Sequence, residues 1–251
     1  MFFCILSLFM LLLHSPICAG VGITGGKEAV PHARRYMALV RTGPSLCGGT
    51  LIKDNWVLTA AACKVDKTTT VDLGVHSIKT MNKLRQQFKV VRSAPHQKFD
   101  PRSYANNLQL LQLSGKANFS YAVNVLPLPS KYKDIKPGTV CQTAGWGITA
   151  YNGKQRSDKL MEVSLTVLDR MKCKDQWKSK IKVTKDMICT SDKGKRGFCN
   201  GDSGGPLICN RIFTGVVSFG PLICGMENGA NVYTRLTSDY IKWIKKETNR
   251  I

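Results

Sequence analysis

The stretch Gly201-Asp202-Ser203-Gly204-Gly205-Pro206-Leu207 gives the backbone few options. Read for shape alone, it is a glycine-rich turn between two strands. Read for chemistry, it is a nucleophile loop. The glycine at 201 lets the amides turn inward, so that the N–H groups of Gly201 and Ser203 converge on a carbonyl oxygen that gains negative charge in a transition state. Ser203 would be the nucleophile, and Cys199 just before it offers an anchor for the loop.

The first twenty-two residues contain no Lys, Arg, Asp or Glu, and Phe2 to Leu13 is almost wholly apolar. Ser15-Pro16 breaks the run, and the small residues Ala19 and Gly20 follow. This is the pattern of a secretory signal peptide over residues 1–20, with an apolar core too short to span a bilayer comfortably. No Lys or Arg precedes the apolar run, so only the α-amino group supplies the usual positive start. No later run is long enough to cross a membrane. Leaving out Cys4 and Cys18, eight of the ten cysteines remain, an even number that suits an oxidising, extracellular or granule compartment. No pair has C-x-x-C spacing, which argues against a zinc site; neither metal nor cofactor is expected.

Charge is the other strong total. Lys and Arg number 37 against 16 Asp and Glu, a net +21 that lies wholly beyond residue 22. A field of that size draws in polyanions at salt-dependent rates, and it exceeds what solubility needs. Sulfated glycans and granule proteoglycan are the expected partners. An anionic membrane, non-specifically bound nucleic acid and a protein partner stand beside them.

Along the chain, short apolar runs alternate with turn signals. Tyr36 to Arg41 leads to Gly43-Pro44, and Cys47 to Ile52 and Trp56 to Thr59 follow. With little helical periodicity, the chain reads as an all-β barrel or sandwich. A helix closes it: Thr237 or Ser238 caps a stripe of Leu236, Tyr240, Ile241, Trp243 and Ile244, expected to pack on the second half of the chain.

Gly201–Leu207 after Cys199, together with Leu58-Thr59-Ala60-Ala61-Ala62-Cys63 and Ala144-Gly145-Trp146-Gly147, resembles the trypsin/chymotrypsin family of serine proteases from Ile23 to the end. Pro31-His32-Ala33-Arg34-Arg35-Tyr36-Met37-Ala38 resembles the granzyme branch, and Lys185 to Cys189 is most similar to granzymes A and K. The resemblance implies two six-stranded antiparallel β-barrels with a cleft between them and a C-terminal α-helix, a single domain over 23–251. It implies the pairs Cys47–Cys63, Cys141–Cys209, Cys173–Cys189 and Cys199–Cys224, which leave no cysteine for a linked dimer and fit a monomer. It makes Val21-Gly22 an activation dipeptide of a zymogen. Its removal would free Ile23 to pair with the acid before the serine, Asp202, and so order the oxyanion loop.

Two catalytic positions depart from the family. Ala62 stands where the family has the histidine that takes the serine's proton, and Asn107 stands where it has the acid that orients that histidine. His32, His76 and His96 read as ordinary structural positions. Changing the acid alone costs on the order of 10⁴ in turnover. Losing a triad base costs on the order of 10⁶, and such losses are not additive. The specificity pocket departs too. Gly197, two residues before Cys199, stands where trypsin-like relatives and granzymes A and K have Asp; Phe198 replaces a small residue and Asn231 a glycine. Ser218-Phe219-Gly220 still offers an edge for a peptide strand. An uncharged, crowded pocket argues against cleavage after Lys or Arg.

Asn118-Phe119-Ser120 is a glycosylation sequon. The reading is a secreted, granzyme-like serine protease homologue, catalytically impaired, which binds polyanions or protein partners in immune defence. Two alternatives stand beside it. One is an endopeptidase using Ser203 with a rescued or substrate-assisted mechanism; the other is a competitor that shares the partners of active relatives without cutting.

Overall fold

The fold is taken from a computed structural model, which describes residues 23–150, 153–178, 180–191, 194–226 and 229–249. The proposed signal peptide and dipeptide, residues 1–22, lie outside the described residues. The first half gives β1 (Lys27–Glu28), β2 (Met37–Thr42), β3 (Ser45–Lys53), β4 (Trp56–Thr59), β5 (Thr70–Leu73), β6 (Gln86–Pro95) and β7 (Gln109–Leu113). The second gives β8 (Val140–Gly145), β9 (Met161–Thr166), α1 (Arg170–Trp177), β10 (Met187–Thr190), β11 (Pro206–Cys209), β12 (Ile212–Phe219), β13 (Asn231–Arg235) and α2 (Ser238–Thr248).

Strands β2–β7 close into an antiparallel barrel in the order β2-β3-β4-β7-β6-β5. The remaining strands form one sheet, β1-β9-β8-β11-β12-β13-β10. Its six strands β8–β13 curl until β9 meets β10, where the join is a single bridge, Val167 to Thr190. The Leu168 N–H donates to the Cys189 carbonyl and the Ser191 N–H to that of Thr166, at 2.9 and 2.8 Å. The expected two-barrel, all-β fold is therefore present, with the second barrel sealed more lightly than the first.

Alternation explains the packing. In β9, Met161, Val163 and Leu165 are buried while Ser164 and Thr166 face out. Those three meet Ile23, Leu207, Val217 and Tyr233 inside the second barrel. Val40, Leu51, Val57, Leu73 and Leu111 fill the first. All four cysteine pairings implied by the resemblance are formed, and among the described residues no helix is long and apolar enough to cross a membrane.

Two helical details differ from the sequence reading. The closing helix is capped by Thr237, whose side chain accepts from the Tyr240 N–H, but it does not rest on the second barrel alone. Tyr240, Ile241 and Ile244 share one cluster with Trp56, Leu58 and Leu110 of the first barrel and Phe213 and Val216 of the second. The outer faces of β4 and β7 are apolar and need cover, and α2 supplies it across the seam. Arg92 of the first barrel holds Glu247 of α2 at 2.7 Å. The other helix, α1, is additional. Asp169 caps it by accepting from the Met171 and Lys172 N–H groups, and its buried residues Cys173 and Trp177 lie one turn apart.

Candidate active-site cleft

Asp202 anchors the cleft. It is fully buried, and its carboxylate accepts from the Gly147 N–H at 2.7 Å and the Cys199 N–H at 2.9 Å. A Cβ at either Gly145 or Gly147 would overlap that carboxylate, which accounts for the two glycines flanking Trp146. Burial pushes the Asp202 carboxyl up to about 7, against the two backbone hydrogen bonds that lower it. The loop around it is tied by the Asp202 N–H to the Cys199 carbonyl and by the Gly205 N–H to the Asp202 carbonyl, each 3.0 Å. Gly201 within this loop has φ +106°, a conformation that a side chain would strain.

Ser203 is held from the other barrel. Its carbonyl accepts from the Gly48 N–H of β3 at 2.8 Å, and the Gly48 carbonyl accepts from the Thr59 hydroxyl at 2.7 Å. Ala62 follows β4 in the turn closed by the Cys63 N–H to the Ala60 carbonyl and by Cys47–Cys63. Asn107 enters β7 from a loop in which Tyr104 and Asn106 have φ of +55° and +57°. The Asn106 side chain accepts from the Tyr240 hydroxyl at 2.9 Å and donates to the Lys98 carbonyl at 2.7 Å, so α2 braces the loop.

These positions converge. Fully buried Asn107 accepts from the Ala62 N–H through Oδ1 at 2.8 Å and donates through Nδ2 to the Ser218 hydroxyl at 2.9 Å. Its own carbonyl accepts from the Thr234 hydroxyl at 3.3 Å. Ala62 and Ser203 both line a cleft of ≈ 350 Å³ together with Tyr104, Phe198, Ser218, Phe219 and Gly220. Ala62 is exposed there and contributes a methyl group, with no atom able to take a proton.

Gly197 and Asn231 are not among the residues lining that cleft. A Cβ on Gly197 would sit 2.6 Å from Asn231 Nδ2, so the asparagine fills the space above the glycine. Asn231 is buried, with Nδ2 3.5 Å from the Arg196 carbonyl. Phe198 stands edge-to-face on Tyr233, ring centroids 5.3 Å apart, and reaches Gly220, where an added Cβ would meet the ring at 3.2 Å.

Ile23 is fully buried in the second barrel's core, and the Thr24 carbonyl accepts from the Gly197 N–H at 3.0 Å. The Thr24 hydroxyl is buried with no partner among the described residues. Asn118 is exposed; its backbone N–H and carbonyl bind Gln86, at 2.9 and 2.7 Å. Among the described residues no group of three or more His, Cys, Asp or Glu side chains is placed to hold a metal.

The trypsin family pattern matches residues 23–244. The chain belongs to the trypsin family. It is 46% identical to granzyme A of Bos taurus over 228 residues, covering 90% of this chain and 87% of the relative. It is 40% identical to granzyme B(G,H) of Mus musculus, with 96% and 97% covered, and to mast cell protease 3 of Ovis aries, with 96% and 95% covered. Among solved structures, mouse neuropsin, a serine protease, superposes with a TM-score of 0.83 at 32% identity, covering 90% of this chain and all of that one. This trypsin-family chain therefore sits in the granzyme branch. Sequence reading missed Tyr104 as a cleft residue; its signal is slight, a lone aromatic three positions before Asn107.

Replacing Asn107 with Ala would leave the Ala62 N–H and the Ser218 hydroxyl without their partner. Urea unfolding should show a loss of about 1–3 kcal/mol. An unchanged midpoint would mean that water replaces the amide.

Proposed function

We propose that this chain is a secreted or granule-stored granzyme homologue that does not hydrolyse peptides through a triad and acts by binding polyanions in immune defence. One observation carries the non-catalytic part. The position given to the general base offers only the Ala62 methyl, while the amide at the acid position is engaged by the Ala62 N–H and the Ser218 hydroxyl. Among the described residues no side chain accepts a hydrogen bond from the Ser203 hydroxyl, and Ala62 offers it none. Phe198 and Asn231 occupy the specificity pocket, which supports the same reading. The alternative, a peptidase whose substrate supplies the base, draws support from Gly201 and Ser203 being kept in a nucleophile-loop conformation.

The binding part rests on charge and its placement. Lys98, Lys185 and Arg235 come from three separate segments, yet line one groove of ≈ 450 Å³ beside the start of α2, together with Asp186, which pairs with Arg235, and Asp239. Lys242, Lys245 and Lys246 are exposed on α2 itself. Lys182 lies exposed three residues before Lys185. This face would take a sulfated glycan chain, and a glycan on exposed Asn118 would extend from the first barrel.

Activation by pairing of Ile23 with Asp202 is part of the proposal, supported by the complete burial of both. It sets a pH dependence. While the Ile23 nitrogen is an amide, burial raises the Asp202 carboxyl to about 7, above its unfolded value of about 4. The folded chain then holds a proton that the unfolded chain releases. Stability is full below about pH 4 and is lost as pH rises toward 7. An ammonium at Ile23 removes that loss. Melting protein extended N-terminally of Ile23 beside protein beginning at Ile23 should give a gap that widens from pH 4.5 to 7.5. Parallel pH profiles would contradict the pairing.

For polyanion binding, the protein should leave a heparin column well above physiological salt (~0.15 M). Lys98→Glu/Lys185→Glu/Lys245→Glu should leave markedly earlier. Release of the unaltered protein at or below physiological salt would sink the idea.

A further inference from the structure

The residue that leaves the cleft without a base also changes its shape. Asn231 fills the space above Gly197 and the Phe198 ring lies against Gly220, while Ala62 lines open space with Ser203. That space has a rigid aromatic wall. Tyr104 packs on Phe219 with ring centroids 5.2 Å apart, and Phe219 stands edge-to-face on Trp177 at 5.0 Å. Trp177 is fixed in turn by its indole N–H, which donates to the Ala230 carbonyl at 3.2 Å. The polar floor is already occupied, because buried Asn107 bonds to Ala62 and Ser218.

Among the described residues lining the cleft none is Lys, Arg, Asp or Glu, on a chain of net charge +21. Leu222 on its rim is 97% exposed. An occupant suited to this lining is therefore neutral and apolar where it touches the cleft, and it needs an extended backbone to lie along Ser218–Gly220.

We propose that the cleft is a peptide-docking groove whose anchor has moved. It takes an extended segment in which an aromatic side chain enters the hollow between Ala62 and Tyr104, and the next residue, lying over Phe198, is glycine or alanine. Two residues set this selectivity. Ala62 opens the anchor site, since an imidazole at 62 would fill it. Phe198 excludes side chains at the neighbouring position, since its ring crowds the Gly220 edge along which that residue would lie. The aromatic anchor packs on Tyr104 edge-to-face, the geometry Trp177 already uses on Phe219 behind it. The inference concerns the cleft and does not depend on the basic face.

Blocked hexapeptides of alanine carrying Phe-Gly, Ala-Gly or Phe-Lys at the centre test it, by titration calorimetry on protein beginning at Ile23 and on its Ser203→Ala variant. Phe-Gly should bind at least ~10-fold more tightly than either of the others. Ala62→His, a change at an exposed position, should reduce Phe-Gly binding to the Ala-Gly level. Phe198→Ser should raise Phe-Lys binding toward that of Phe-Gly. Equal affinities for the three peptides, or Phe-Gly binding that survives Ala62→His unchanged, would overturn the proposal. Binding to Ser203→Ala accompanied by cleavage in the native protein would keep the groove and refute the non-catalytic reading, so the two fail separately.

Discussion

The buried Asp202 carboxylate is the constraint on which the rest of the cleft depends. Removing a carboxylate from water is costly unless donors surround it, and here the Gly147 and Cys199 N–H groups do so. Each partner fixes something else. Gly147 and Gly145 must lack a Cβ for the carboxylate to fit, which ties the second barrel's first strand to the loop. Cys199 is joined to Cys224, which ties the loop to the far wall of the cleft. Ser203, next in sequence, is bonded through its carbonyl to Gly48 of the first barrel. The buried Asp202 side chain thus orders the loop, and the Ser203 carbonyl links that loop to the first barrel.

Asn107 and Ala62 sit in a hydrogen-bonded frame. The neutral amide of Asn107 pairs with the Ala62 N–H and the Ser218 hydroxyl, so this buried side chain keeps its partners. Ala62 presents only a methyl group to the cleft, and its backbone N–H is bonded to Asn107. Both residues therefore fit the folded frame with these polar groups paired. The crowding by Phe198 and Asn231 behaves similarly: both side chains are buried, one stacked on Tyr233 and the other placed over Gly197.

Much of this was legible in the sequence because it is written in local, rigid signals. The Gly201–Leu207 loop, the Gly145-Trp146-Gly147 triplet and the cysteines each fix a backbone path, and the resemblance built on them gave the barrels and every disulfide. Properties that depend on which surfaces meet were less legible. The α2 stripe was visible, but the sequence cannot say that the outward faces of Trp56 and Leu110 need the same cover. Helix α1 has four charged residues in eight and no amphipathic pattern; it is held by its cap and by Cys173 and Trp177. Tyr104 joins the cleft only because its loop adopts left-handed turns. Crowding of the pocket could be expected from Phe198 and Asn231, but the direction of the phenyl ring, across Gly220, required coordinates.

The most direct measurement is labelling with a serine-directed fluorophosphonate probe on protein beginning at Ile23, with Ala62→His/Asn107→Asp and Ser203→Ala variants beside it. The probe reacts with an activated serine and has little need of the specificity pocket. The account predicts no labelling of the native sequence, clear labelling of the double variant and none of Ser203→Ala. Labelling of the native protein that disappears in Ser203→Ala would show that another group activates the serine, and would contradict the account.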